Sequence, residues 1–301
     1  MKYSEEKVLG RFLQKSIIQI LLAFYFLLAA GCASTKTMLP EEKGLPGYVP
    51  ARHLVFIGLD GWGGAYVPKA NMPTVKKMIA GGASSLDLRC VMPSNSWPNW
   101  LALFSGAPPE EHNSDQFPSI FTLVGNANQA GKSVLFYEWS ELNKIPPDGL
   151  VEKRTIRSDP ESARLIASYI EETKPFFTAV VFNEPDSAGH SKRWGSAAYN
   201  AKLTELDGFI GIIEQAVKDS GIYDSTVFIL SSDHGGVLWG HGFNGPKQRR
   251  TPLVIYGSNI KEGYTIPSKR SICDIAPTMA IILGLEIPSE WTGQPLQGIF
   301  K

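Results

Sequence analysis

Ser225-Thr226-Val227-Phe228-Ile229-Leu230-Ser231-Ser232-Asp233-His234-Gly235-Gly236 is a β-rich apolar run that stops abruptly in hydroxyls, a carboxylate, an imidazole and two glycines. Continuous apolar runs of this length fill strands buried on both faces, as in a parallel sheet. In open α/β sheets ligands collect at the carboxyl ends of the strands. An Asp and a His side by side at such an end suit a divalent cation, and the glycines let the chain turn sharply behind them. The same pair also serves as an ordinary turn cap, so its meaning depends on whether other strands end alike.

They do. Leu54-Val55-Phe56-Ile57-Gly58-Leu59 is a second buried run and ends in Asp60-Gly61. Phe177 to Phe182 is a third, followed by Asn183-Glu184-Pro185-Asp186 and then His190, while His241 follows Asp233 and His234 by a short loop. Ser133 to Tyr137 and Thr251 to Tyr256 read as further strands. Helices are predicted from Pro73 to Ile79, from an Asp159 cap with Pro160 to Thr173, from Ala197 to about Asp219, and from Asp274 to Leu283. Strand and helix alternate without an internal repeat, which predicts a three-layer α/β sandwich with a mostly parallel central sheet and helices on both faces.

The chain has 301 residues, 43% hydrophobic and 19% charged, enough for one large α/β domain, assigned to residues 52–301. Before it, Lys2, Lys7, Arg11 and Lys15 precede an apolar run from Ile17 to Ala30 that leads into Gly31-Cys32. That run is too short for a membrane span of about 20 residues and fits a signal peptide. Residues 1–32 resemble a bacterial lipoprotein signal, which implies lipidation at Cys32, a membrane anchor, and a place in the cell envelope at the periplasmic face of the outer membrane. Residues 33–51 read as a flexible tether. Removing the residues before Cys32 takes away four cations and two glutamates, so the neutral full chain becomes a mature chain of net charge −2. A balance of this kind speaks against binding a nucleic-acid polymer. Cys90 and Cys273 could pair in an oxidising compartment, but their spacing is uninformative and they read as two small buried hydrophobes.

Asp60, Asp186, His190, Asp233, His234 and His241 form a mixed carboxylate and imidazole set that suits zinc and admits manganese. Six such ligands are too many for one catalytic cation that keeps an open position, but fit two divalent metal ions about 3.5–4 Å apart. His53 and His112, at a strand start and in a loop, read as structural. Pro98 suits the first turn of a helix running toward Gly106, which puts Ser96 at the helix amino end, where backbone N–H groups and the dipole favour a phosphoryl anion. Ser96 is therefore the candidate nucleophile and a metal contact, with Ser94 its more distant rival. Asn99 is expected nearby, its amide donor free for a phosphoryl oxygen. Trp62, Trp97, Trp100, Trp139 and Trp239 all neighbour these motifs, either as walls for a substrate or as core.

Gly58-Leu59-Asp60-Gly61, Met72-Pro73-Thr74, Ser96-Trp97-Pro98-Asn99, Ser105-Gly106 with Pro109-Glu110-Glu111-His112, Glu184-Pro185-Asp186-Ser187-Ala188-Gly189-His190 and Ser232-Asp233-His234-Gly235 occur in this order. The set resembles the type I phosphodiesterase / nucleotide pyrophosphatase branch of the alkaline phosphatase superfamily, over roughly residues 53–298. The resemblance implies one zinc on Asp186, His190 and His241 and another on Asp60, Asp233, His234 and the nucleophile. It also implies a small-molecule phosphate ester as substrate and cleavage of phosphodiester or pyrophosphate bonds through a phosphoseryl intermediate. Two positions depart from the branch: Ser96 stands where Thr is usual, and Trp100 where His is usual. A phosphomonoesterase or a phosphoryl transferase of the same fold is the alternative. A sulfatase ranks lower, since Ser96-Trp97-Pro98-Asn99-Trp100 lacks the Arg of the Cys/Ser-x-Pro-x-Arg motif, and a non-catalytic binding lipoprotein ranks last.

Overall fold

The computed structural model describes residues 47–114, 117–127 and 131–301. The leader ending at Cys32, and the tether as far as residue 46, lie outside the described residues. In chain order the described elements are β1 (His53–Leu59), α1 (Pro73–Ala80), β2 (Ala83–Arg89), α2 (Ser96–Ser105), α3 (Ile120–Asn126), β3 (Ser133–Tyr137), β4 (Glu152–Thr155) and α4 (Pro160–Thr173). There follow β5 (Phe177–Phe182), α5 (Asp186–Lys192), α6 (Ala197–Asp219), β6 (Thr226–Ser231), α7 (Pro246–Arg249), β7 (Arg250–Gly257), β8 (Tyr264–Thr265) and α8 (Ile275–Ile282).

The eight strands form one sheet in the order β4-β3-β5-β1-β6-β7-β2-β8. All pairings are parallel except those of β7 with β6 and with β2, so β7 alone runs backwards. The pleat sends alternate side chains to opposite faces, and this explains the unbroken apolar runs. Leu54 and Phe56 of β1 join one core cluster, with residues of α2, α3 and α8, whereas Val55, Ile57 and Leu59 join the other, with α1, α4 and α6. β5 and β6 split in the same way, Val227 and Ile229 to the first face, Phe228 and Leu230 to the second. The predicted three-layer sandwich is the observed fold.

The α4 start is the one its sequence encodes: Asp159 caps the helix by accepting from the Ser162 N–H at 2.8 Å, and Pro160 opens the first turn. The final helix begins later than predicted, because Ile272–Asp274 winds as a tighter 3-10 turn before α8. Strand β2 escapes the sequence reading. Its residues, Ala83-Ser84-Ser85-Leu86-Asp87-Leu88-Arg89, are half polar, and its register with β7 shifts between Ser85 and Leu88. Such irregular strands near a sheet edge carry no run of apolar residues. Cys90 and Cys273 are both free and buried.

The topology itself positions the site. β5, β1 and β6 are adjacent in space although β5 enters the chain more than a hundred residues after β1. The residues just beyond their carboxyl ends therefore meet.

Candidate active site

Asp60 follows β1 directly, Asp233 and His234 follow β6, and Asp186 and His190 sit on α5, one helical turn apart, just after β5. An i, i+4 pair faces the same way on a helix, so both α5 side chains reach inward together. The turn after β1 is tight: Gly61 has φ +70°, and a Cβ there would lie 2.8–2.9 Å from Asp186. Only glycine lets the two strand ends approach this closely.

Two groups of three ligands result. Asp186, His190 and His241 have ligand atoms all within 4.8 Å of one another, and so do Asp60, Asp233 and His234. The first group is partly open to solvent and the second is fully buried. In the second, His234 Nε2 lies 3.3 Å from Asp233 Oδ2 and 3.6 Å from Asp60 Oδ1. In the first, it is His190 Nε2 and Asp186 Oδ2 that approach, to 3.4 Å, with His241 Nε2 3.7 Å from Asp186 Oδ1.

Hydrogen bonding fixes each imidazole. His190 Nδ1 contacts the carbonyl of Trp239, His234 Nδ1 that of Gly235 and His241 Nδ1 that of Ser94, each at 2.9 Å. A carbonyl only accepts, so all three rings carry a proton on Nδ1 and aim Nε2 at the centre, as metal-binding histidines do. The Nε2 atoms of His190 and His241 face each other at 3.1 Å. Between two neutral rings this distance brings lone pair against lone pair. Asp186 Oδ1 and Asp233 Oδ2 are buried and have no hydrogen-bond partner. Orphaned carboxylate oxygens beside unprotonated imidazoles are what a cation satisfies, and the donor set fits one in each group.

Titration behaviour agrees. Burial, then the charge of Asp233, pushes the Asp60 carboxyl up to about 8. Burial, followed by the charges of Asp60, Asp233 and Glu184, pushes Asp186 up to about 9. Burial raises Asp233 to about 7, although the Gly61 N–H donates to it. Burial, then neighbouring His234, lowers His241 to about 4, and burial also lowers His234. Three carboxyls in one low-dielectric space resist ionising together unless positive charge is supplied.

Ser96 is the first residue of α2, with Asn95 at the cap making no side-chain cap bond. Its Oγ is 3.1 Å from His234 Nε2 and 3.4 Å from Asp60 Oδ1, so the hydroxyl points into the buried ligand group. The rival Ser94 is buried and occupied, donating to the Phe243 carbonyl and accepting from the Gly242 N–H.

The expected free amide at Asn99 is not observed. Asn99 is fully buried, its Nδ2 donates to the carbonyls of Pro93 and Asn95, and its Oδ1 accepts from the Val91 N–H. Helical geometry turns the side chain back over the loop that precedes α2, so Asn99 latches the backbone that presents Ser96. Trp100 is likewise fully buried beneath the site, where its indole N–H donates to Asp60 Oδ2 at 2.9 Å. A Cβ on Gly58 would lie 2.5 Å from the Trp100 ring, so that glycine and this indole belong together. Trp62 is core, Trp97 and Trp139 pack edge to face at 6.5 Å, and Trp239 stands 59% exposed. His53 and His112 lie outside the ligand groups, on the Pro175 carbonyl and on Ser105 with Phe117.

Sequence reasoning missed Ser232, whose hydroxyl bonds the Trp62 N–H and the His234 carbonyl and ties the two ligand-bearing turns together. Its position at the head of the Ser232-Asp233-His234-Gly235 motif was the available signal.

The family model for type I phosphodiesterase / nucleotide pyrophosphatase matches residues 54–113 and 132–238, the span that carries Ser96 and every candidate ligand above except His241. GPI ethanolamine phosphate transferase 1 of Emericella nidulans is 31% identical over 165 residues, 47% of this chain and 17% of that protein. Ectonucleotide pyrophosphatase/phosphodiesterase family member 1 of Homo sapiens is 26% identical over 207 residues, 58% of this chain and 21% of its own. The match thus spans about a fifth of the length of these curated relatives. Among solved structures, an inactive murine ectonucleotide pyrophosphatase / phosphodiesterase 5 in complex with AMP superposes with a TM-score of 0.69 at 12% identity, over 83% of this chain and 100% of that one. Phosphonate monoester hydrolase from Silicibacter pomeroyi superposes with a TM-score of 0.66 at 15% identity, over 81% and 76%. With the motif order, the sheet and the family match all in agreement, the chain belongs to the type I phosphodiesterase / nucleotide pyrophosphatase family of the alkaline phosphatase superfamily.

Proposed function

We propose that the protein is a metal-dependent hydrolase that cleaves a phosphodiester or pyrophosphate bond with Ser96 as nucleophile. The observation that carries this reading is the position of Ser96 Oγ, within 3.4 Å of both His234 and Asp60 at the amino end of α2. Asp60, Asp233 and His234 would hold one divalent cation and Asp186, His190 and His241 a second, zinc being the ion that this donor set suits best. Such a pair supplies positive charge at the phosphoryl oxygens and lowers the pKa of nearby hydroxyls.

The chain's own groups do the rest. The α2 amino end offers backbone N–H groups to a non-bridging phosphoryl oxygen. Asn99 and Trp100 hold the Ser96 turn and the Asp60 carboxylate in place. Ser96 Oγ forms a bond to phosphorus as the bond to the leaving oxygen breaks, and that oxygen takes up a proton. Water then attacks the phosphoserine, restores the Ser96 hydroxyl and releases the second product. The AMP bound by the murine relative supports a small phosphate ester as substrate.

The sulfatase reading is weakened at residue 100, where a buried indole stands in place of the motif's Arg. Transfer of the phosphoryl group to an alcohol shares every step but the last acceptor, and the fungal relative is by name an ethanolamine phosphate transferase.

Turnover of a nitrophenyl phosphodiester by the zinc-loaded protein, compared with Ser96→Ala, tests the proposal. Ser96→Ala is expected to lower kcat by about 10³-fold or more. Undiminished turnover rejects Ser96, and product analysis with added ethanolamine separates hydrolysis from transfer.

A further inference from the structure

Among the described residues six large apolar side chains are exposed: Val49, Met92, Leu165, Leu238, Trp239 and Phe243. Four of them stand on two loops that border the candidate site. Leu238, Trp239 and Phe243 are 56%, 59% and 73% exposed on the loop between His234 and α7, and Met92 lies on the loop before α2. Scattered apolar residues are ordinary on a surface, but a group of them beside a site marks an interaction surface.

These side chains are held out by a rigid frame. The Val237 and Gly240 backbones bond each other reciprocally, and Leu238 takes φ +56° at the tip. The Leu238 carbonyl accepts from the Trp194 N–H and the Trp239 carbonyl faces His190. The two loops are joined where Ser94 bonds Phe243 and Gly242 and faces His241.

Apart from the ligand carboxylates of the site, the segments that carry and flank the lip hold cations and no acids. Residues 187–203, 234–261 and 88–109 contain no Asp or Glu. Exposed Lys192 and Arg193 immediately precede Trp194, which bonds Leu238, and exposed Lys247 follows Phe243 by four residues. Apolar tips with an indole among them, bracketed by cations and free of acids, have the chemistry of a surface that enters the headgroup layer of an anionic membrane.

We infer that the loop carrying Leu238, Trp239 and Phe243 is a lip that seats on an anionic phospholipid bilayer and offers the site a phosphodiester carried by lipid. The substrate class rests on the hydrolase reading above, while the docking does not. Among the described residues no helix is long and apolar enough to cross a membrane.

The test uses full-length protein mixed with vesicles of brominated phosphatidylcholine and phosphatidylglycerol, without added metal. Bromine quenches an indole on contact, and the wild-type signal minus that of Trp239→Phe isolates Trp239. Because the compared chains differ only at the lip, any contribution of residues 1–46 cancels. The lip requires a quenched component that Trp239→Phe abolishes, and that Leu238→Ser with Phe243→Ser or Lys192→Glu with Arg193→Glu removes. Equal quenching of wild type and Trp239→Phe overturns the inference, as does a lip-dependent dimer in light scattering without quenching. With metal, Leu238→Ser with Phe243→Ser is expected to keep turnover of a soluble nitrophenyl diester and lose that of a diester in vesicles. Quenching without any diester turnover leaves the lip standing and sinks the hydrolase reading.

Discussion

The Trp100 indole N–H donates to Asp60 Oδ2 at 2.9 Å, with neither side chain more than 2% exposed, while Asp60 Oδ1 is the oxygen that faces Ser96. The indole thus occupies one carboxylate oxygen from below and leaves the other for the site. Trp100→Phe keeps most of the packing against Phe56 and Phe104 but orphans that oxygen. An unsatisfied buried acceptor costs about 1–3 kcal/mol, so urea unfolding of the metal-free variant is expected to show a loss of that size. Zinc titration is expected to show weaker binding at the Asp60 group, and an unchanged titration would deny the clamp.

Metal removal and pH are coupled through the buried carboxyls. Asp60, Asp186 and Asp233 have folded values raised to about 8, 9 and 7, above those of an unfolded chain near 4. Below about pH 6.5 the lowered imidazoles of His234 and His241 oppose these carboxyls, so the carboxyls dominate between about pH 6.5 and 9, where the folded metal-free protein binds more protons than the unfolded chain and its stability falls as pH rises. A cation that binds only the folded state offsets this loss. The melting temperature of chelator-treated protein is expected to drop from about pH 6.5 to about pH 9, and the gap to zinc-supplemented protein to widen. Parallel curves would contradict the linkage.

Asn99→Ala opens the latch behind Ser96, leaving the Pro93 and Asn95 carbonyls and the Val91 N–H without their partner. Steady-state kinetics on a soluble diester are expected to show kcat reduced about 10–100-fold with KM little changed, because misplacing the nucleophile harms the transition state more than binding. A selective rise in KM would assign Asn99 to substrate contact instead.

His190→Ala removes one imidazole from the more open ligand group and none from the group around Ser96. Elemental analysis after dialysis is expected to fall from two bound zinc ions to one, with the protein still folded. Retention of two ions would place the second site elsewhere.

The sequence made the fold legible where the physics is local and repetitive. β1, β5 and β6 are buried on both faces, so their residues are nearly all apolar, and the run ends where the strand leaves the core. Asp60, Asp233 and His234 were conspicuous for the same reason, as polar residues at the close of apolar runs. Asn99 and Trp100 were not, because their roles depend on which way a helical side chain turns. In one dimension an amide three residues beyond a serine looks equally suited to a ligand or to a backbone carbonyl. The direction of β7 and the pairing of β2 were hidden too, since a strand's neighbours are chosen by the rest of the sheet.

Gly61 and Asp233 touch across 172 positions of chain. During synthesis the first half of this pocket emerges long before the second, and nothing holds an ion until β6 has slotted in beside β1. A cation bound there would then fasten distant stretches of polypeptide together much as a covalent staple does, restricting the denatured coil. Metal loading would then be the closing event of maturation, and an empty pocket the mark of a molecule still unfinished.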